Sequence, residues 1–461
     1  MPGHTTPLPR LDELGRQVSG QVLTAADPGY EAAVACWNRA VVQTPAVAVV
    51  AEDASDVGAA VRLAADTGLG IGVQTTGHGF VRPVDGMLIV TRRMDAITVD
   101  PAARTASVEA GCTAGPVLAA AQEHGLAPLL GASPTVGAVG LTLGGGLGWL
   151  ARRYGPACDS VRSFEVVTPN GCLVHASATE NVELFRALRG GGGGVLGVVT
   201  SMVIDLFPVT TVYGGSLVYP ASDAVEVAEH FARWVDAAPD DLTSSLVFMN
   251  FPPVPQIPEP LRGQSFMIVR GCWSGGITEG RRYVDRFRSA MAPVMDLWDE
   301  MSFADSATIG NDPVDPMPVT GSSTLLNGLD GGLGSAIASH TFPIGGPPPV
   351  VFSEIRHLGG AVTANANGDS VMGNRDRQFL FQYSALAAEG GHAMAPEQGS
   401  LMEALGQYRD SGTSLNFLAG EARRAATPTS TDPAQHDSLA SLQARLDPQD
   451  LMRYGVTHRA G

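Results

Sequence analysis

Apolar positions along the first half of the chain repeat with two periods in turn. Val57, Ala60, Val61 and Ala64 fall three and four apart within "DVGAAVRLAADTG", which predicts an amphipathic helix. The flanking runs "AVAVV", "LGIGVQ" and "MLIVT" are short, apolar and bounded by Gly, Pro or Asp, as buried strands are. "YEAAVACWNRAVV" reads as a further helix ahead of them. Two alternating strands, "AITVD" and "TASVEAG", precede a helix "AGPVLAAAQEHG" with Gly125 as its stop. The Asn170-Gly171 turn in "VRSFEVVTPNGCLVHAS" predicts a hairpin, and a helix "ENVELFRALRG" and a strand "VLGVVTSMVIDL" follow.

Past Pro208 the pattern changes. The strands "VYGGSLVYP", "TSSLVFMN", "VVFSEIRHL" and "QFLFQYSAL", with helices near 223–236 and 278–290, predict an antiparallel sheet with helices on one side. The proline-rich "FPPVPQIPEP" at 251–260 reads as a surface loop. The chain closes on the apolar patch "SLNFLAG" and a final helix "DSLASLQARLDPQDL".

At 461 residues the chain has room for two or three domains. Its net charge is −17 and all 29 basic residues are arginine. The absence of lysine excludes a P-loop lysine and a Schiff-base lysine, and the acidic balance argues against nucleic acid and anionic lipid as partners. Five cysteines without a CxxC pair fit neither a disulfide framework nor a zinc knuckle, so a reducing, cytoplasmic setting is expected, with no structural or catalytic metal. No stretch reads as a signal peptide or membrane span.

Glycine carries the chemistry. Residues 131–148, "GASPTVGAVGLTLGGGLG", bring bare backbone close to something. They are read either as a nest of amides for phosphate oxygens or as tight turns in a packed core. A GxGxxG match at Gly192, Gly194 and Gly197 follows a helix and precedes a strand, the reverse of a dinucleotide-binding turn, so it is set aside in that sense. Two glycine clusters and the "TTGHG" turn in one α/β region favour a large phosphorylated cofactor. His78 in that turn is a ligand, a nucleophile or a hydrogen-bonded turn histidine. Cys158 in "RRYGPACDS" is a small buried hydrophobe or a thiol activated by Arg152 and Arg153.

"TTGHG", "SPTVGAVGLTLGGGLG", "YGPACD", "ELFRALRGGGGGVLGVVT" and the terminal "NFLAG... LQARLDPQDLM" resemble, in this order, the berberine bridge enzyme-like branch of the vanillyl-alcohol-oxidase (PCMH-type) flavoprotein superfamily. The resemblance implies an α+β fold: an FAD-binding domain of two α/β subdomains over 1–208, a substrate domain with an antiparallel sheet over 209–410, and a segment over 411–461 that returns to the first domain. It implies FAD joined bicovalently, through His78 to the 8α carbon and through Cys158 to C6 of the ring. Thr76, Gly77, Gly79, Ser133, Gly137 and Gly140 would hold the pyrophosphate, and Gly197 and Val199 the adenine. Val136, Gly144, Tyr154 and Asn416, in the same motifs, complete the expected cofactor-binding set.

The implied activity is removal of a hydride from a small molecule, a natural product being favoured, with O2 as electron acceptor and with oxidative cyclisation or rearrangement as an accompaniment. An FAD-dependent oxidase or dehydrogenase of a sugar or alcohol, and a non-redox cyclase or binding protein on the same scaffold, are the alternatives. Relatives often carry a tyrosine where this chain has Phe417, which holds no proton to move. On "VVFSEIRHL" a strand period puts Glu354 and Arg356 on one face, so Glu354 is the preferred base if burial raises its pKa, or half of an ion pair. Tyr383 is the second candidate, or a sheet-packing aromatic.

Overall fold

The fully buried runs at 47–50 and 87–90 form the centre of the first sheet. In the computed structural model, which describes residues 10–79, 82–255, 257–342, 348–363, 370–387, 396–456 and 458, this sheet contains β1 (Gln21–Leu23), β2 (Val47–Val50), β3 (Ile71–Gln74) and β4 (Met87–Val90) in the order β1-β2-β4-β3. β2, β4 and β3 run parallel, and a parallel sheet needs both faces covered. Val47, Val49, Met87 and Ile89 pack on Val57, Val61 and Ala64 of the helix Ala54–Thr67. Ala48, Val50, Leu88 and Val90 turn the other way, onto Tyr30 and Val34. Asp53 caps that helix through the amide of Asp56, and Gly68, at φ 70°, ends it.

The helix predicted from Tyr30 stops at Val34. Beyond it the backbone is recruited by the GHG turn: the amides of Trp37 and Asn38 donate to the carbonyls of Thr76 and Gly77. A tertiary ladder replaces the helical one.

The second sheet holds β5 (Ile97–Asp100), β6 (Thr105–Glu109), β7 (Ala127–Pro128), β8 (Val161–Val167), β9 (Leu173–Ser177) and β10 (Val198–Phe207). Its order is β5-β6-β10-β8-β9, all antiparallel, with β7 against β10. Gly171 turns the β8–β9 hairpin at φ 77°. Within the glycine stretch, Ala138–Leu143 forms a short helix that its composition does not announce. The GxGxxG match lies between the helix Val182–Leu188 and β10, so no helix N-terminus follows it.

The third sheet comprises β11 (Thr211–Pro220), β12 (Leu242–Asn250), β13 (Ser265–Trp273), β14 (Met295–Asp296), β15 (Asp299–Ser302), β16 (Val319–Leu326), β17 (Phe352–His357) and β18 (Phe379–Leu386). Its order is β14-β11-β13-β12-β17-β18-β16, with β15 against β11. Leu246, Val269, Ile355 and Phe381 share one face and pack on the helices Ala224–Asp236, Ile277–Ala290 and Gly331–Thr341. The pleat therefore turns the alternate residues to the opposite face. There Arg270, Ser245 and Arg356 form one cross-strand row, with Glu354 opposite Gln382.

The terminal segment folds back. Leu451 accepts from the amide of Ile71 at 2.6 Å and joins the first core with Met452, while Leu439 and Leu442 join the second. Among the described residues no helix is long and apolar enough to cross a membrane.

Candidate cofactor and active site

A cavity of about 720 Å³ lies between the glycine-rich elements of the first two sheets and the polar face of the third. The first sheet and the GHG turn supply Thr76, Gly77, His78 and Gly79, and the glycine stretch supplies Ser133, Val136, Gly137 and Gly140. Gly197 and Val199, at the start of β10, and Asn416, from the terminal segment, complete the wall on this side. The structure thus brings together most of the residues that the motifs single out. The proline-rich stretch, expected as a plain surface loop, also borders the cavity through Phe251, Pro252 and Ile257.

His78 is held from both nitrogens. Nδ1 lies 2.8 Å from Thr76 Oγ1 and Nε2 lies 3.3 Å from Thr135 Oγ1. Its ring stacks on Trp37 at 4.2 Å between centroids, with 15° between planes. Burial pushes its pKa down to about 4, so the imidazole is neutral at pH 7 and keeps a lone pair. A neutral imidazole on a cavity wall suits covalent attachment to an electrophile.

The glycines divide into two kinds. Gly77 is required by the fold: its φ is +75°, and a Cβ would come within 2.7 Å of the Cys36 backbone. Gly140 meets nothing within 4 Å, so its missing side chain leaves room in the cavity. Gly144 lies beneath Asn416, whose amide Nδ2 donates to Leu141 O at 2.9 Å.

Two expectations are corrected. Cys158 does not face His78 across the cavity. Its side chain is fully buried off the wall, with Sγ 3.7 Å from both Ser370 Oγ and Asp159 Oδ1. Burial, reinforced by Asp159, pushes its pKa up to about 12, so it is a thiol and not a nucleophilic thiolate. Arg152 and Arg153 do not activate it. Arg152 bonds His357 and the carbonyl of Ala238, and Arg153 pairs with Asp241. Tyr154 likewise packs on Phe207, at 4.5 Å between centroids, away from the cavity.

The third sheet changes the reading of Glu354. The carboxylate is fully buried, with Oε1 accepting from Arg270 Nη2 at 2.7 Å and Oε2 from Arg356 Nε at 2.9 Å. Gln382 Nε2 also donates to it. Burial alone would raise its pKa, but the guanidinium groups of Arg270 and Arg356 override it and hold the carboxyl well below the usual range. The expected upward tuning is absent, which leaves the group a weak base. Tyr383 borders the cavity, yet alternation sets it with Phe381 and Ala385 in the helix-packed core, where burial pushes its pKa up to about 12. Phe417 lies against Arg356, its ring centroid 4.8 Å from the guanidinium carbon.

Sequence reasoning missed the arginines. Among the described residues, four of them, Arg82, Arg270, Arg356 and Arg423, line the cavity against one acidic residue, Asp312. At the GHG turn, the Nε atoms of Arg82 and Arg423 are buried without a hydrogen-bond partner, and burial pushes the Arg423 pKa down to about 10. A Cβ on Gly79 would sit 2.4 Å from Arg423 Nη1. Arg82 spends Nη2 on the carbonyl of Arg453, whereas the Arg423 guanidinium has no hydrogen-bond partner among the described residues. Such a buried cation beside bare backbone fits a diphosphate, and the volume fits the rest of a dinucleotide. No local motif distinguishes these four among 29 arginines.

The comparisons with known proteins point to FAD as the cofactor. The family profile described as FAD binding domain matches residues 45–177. (R)-6-hydroxynicotine oxidase of Paenarthrobacter nicotinovorans is 32% identical over 223 residues, 48% of each chain. The chain matches about half the length of such curated relatives. In structure, 6-hydroxy-D-nicotine oxidase from Arthrobacter nicotinovorans superposes with a TM-score of 0.81 at 23% identity, covering 99% of this chain and 98% of that one. Xylooligosaccharide oxidase from Myceliophthora thermophila, in complex with xylobiose, gives 0.83 at 20% identity, covering 98% and 99%. At these identities the structural likeness establishes the fold. With an FAD-binding domain matched over residues 45–177 and the fold of these oxidases shared along the whole chain, the comparisons support the vanillyl-alcohol-oxidase (PCMH-type) flavoprotein superfamily, which has berberine bridge enzyme-like members, as the family this chain resembles.

Proposed function

We propose that the chain is an FAD-dependent oxidase of a small molecule, holding its cofactor by one covalent bond through His78. The observation that carries this is the neutral, wall-lining imidazole of His78, set among bare glycines and beside the buried guanidinium of Arg423. Bound FAD would accept two electrons as hydride from the substrate and pass them to O2.

The residues here would bind and position. Thr76 and Thr135 fix the imidazole, Trp37 stacks behind it, and Arg82 and Arg423 face the negative diphosphate. Neither Glu354 nor Tyr383 is placed to take a proton at neutral pH, since one is doubly ion-paired and the other packs in the core. The reading therefore favours substrates whose own heteroatom drives hydride loss over unactivated alcohols that need a strong base.

The test is acid precipitation of the purified protein, followed by its visible spectrum and intact mass. Wild type and Cys158→Ala are expected to keep yellow flavin in the pellet, and His78→Ala to release it. Release from Cys158→Ala alone would restore the thiol as an anchor. A colourless wild-type protein that binds no FAD would overturn the cofactor reading, and turnover without peroxide would overturn the oxidase reading.

A further inference from the structure

The third-sheet wall carries a cation whose donors are only partly used. Arg356 spends Nε on Glu354, and among the described residues no hydrogen bond engages its two terminal nitrogens. Its guanidinium lies against the Phe417 ring, which fixes its plane, and Glu354 fixes its edge. Arg270 is employed differently: its three nitrogens bond Ser245, the carbonyl of Gly310 and Glu354. Glu354 is therefore shared between two arginines, and Arg356 retains an open fork on the cavity wall. Asp312, the acidic residue of that wall, acts on Arg270 and makes no ion pair with Arg356.

We infer that this wall selects substrates bearing a carboxylate on an apolar body. A planar fork with free N–H donors matches the two oxygens of a carboxylate, and it does so better than a neutral hydroxyl or amide. The apolar part has its own lining in Phe352, Val351, Phe251, Ile257 and Phe417. The chain's net charge of −17 does not forbid an anion here. Charges beyond about 8 Å are screened at physiological ionic strength, whereas a wall guanidinium acts at contact distance with little screening.

The inference rests on the proposed function, which gives the glycine wall to the cofactor and leaves the third sheet to the substrate. Calorimetric titration of the holoenzyme with phenylacetate, 2-phenylacetamide and 2-phenylethanol tests it without requiring turnover. Phenylacetate is expected to bind at least about tenfold more tightly than the two neutral probes, the scale of one charge-assisted bidentate pair. Arg356→Gln should bring the three within about twofold of one another by removing that pair. Arg356→Lys, which keeps the charge and the contact with Glu354 but loses the fork, should recover only part of the preference, and it serves if the Gln variant does not fold.

Equal binding of the three probes by wild type, absence of binding by all three, or a preference that persists in Arg356→Gln would overturn the inference. The flavin absorbance of the same samples is read separately. Colourless protein that still shows an Arg356-dependent preference sinks the cofactor assignment and leaves the carboxylate site standing.

Discussion

Replacing Glu354 by Gln separates a structural carboxylate from a catalytic base. The carboxylate is fully buried, 2.7 Å from Arg270 and 2.9 Å from Arg356, and Arg270 is itself 6% exposed. Removing the negative charge leaves two neighbouring guanidinium groups, with Asp312 acting on Arg270 but no carboxylate paired to Arg356 among the described residues. Breaking one side of such a buried pair costs about 3–5 kcal/mol. For a cooperative unit of roughly 150–250 residues, each kcal/mol shifts Tm by about 2–4 °C, so a drop of about 6–20 °C is expected. The loss should be full at pH 7. Because the folded pKa lies below the unfolded one, the pair contributes its stability above the unfolded carboxylate range and loses it as pH falls. The double variant Arg270→Met with Glu354→Gln should recover part of the loss, since the most deeply buried cation goes with its partner. Differential scanning calorimetry with a pH-rate profile reads both properties. A Glu354→Gln protein that melts within about 2 °C of wild type while its turnover collapses, the reverse of a stability-driven loss, would refute the reasoning.

Other predictions follow from the cavity and from buried histidines. Gly140→Leu should leave the melting temperature of the apoprotein unchanged or raised, because its Cβ meets open space, while flavin retention is lost on the absorption spectrum. Gly77→Ala should instead destabilise the apoprotein itself, through positive φ and the clash with Cys36. In a His78→Ala background, Arg423→Met should stabilise the apoprotein by about 1–3 kcal/mol and weaken FAD binding by about tenfold, measured by fluorescence quenching. Burial, with Arg152 adding, holds His357 near pKa 3, and burial holds His458 near 4. The unfolded chain takes up protons on these groups first, below about pH 6.5, so stability is full above that pH and falls as pH drops through 6.5 toward 4, by at most about 2.7 kcal/mol per unit for the two. A melting temperature flat between pH 6.5 and 5 would contradict this.

The fold was legible where burial is repetitive. The apolar runs at 47–50 and 87–90 and the helix from Ala54 announce the first sheet because each buries whole faces. β13 and β16 escaped detection because Arg270, a cavity-wall residue, interrupts one, and Thr320, Ser322 and Ser323 make the other polar on both of its faces. The glycine wall and His78 were visible as local motifs. The arginines and the exclusion of Cys158 were not, since both depend on which side of a strand or loop a side chain takes once distant segments meet. Cys158 sits in a turn that reads as exposed, yet Ser370 and the Asp159–Arg375 pair from far along the chain enclose it.

The cavity wall draws on Trp37 near the start and on Asn416, Arg423 and Val456 near the end of the chain. Segments about as far apart in sequence as Trp37 and Val456 must therefore both be synthesised before this pocket can close. Any dinucleotide held there is then captured after these distant segments have met, because no shorter stretch of the chain supplies the complete wall.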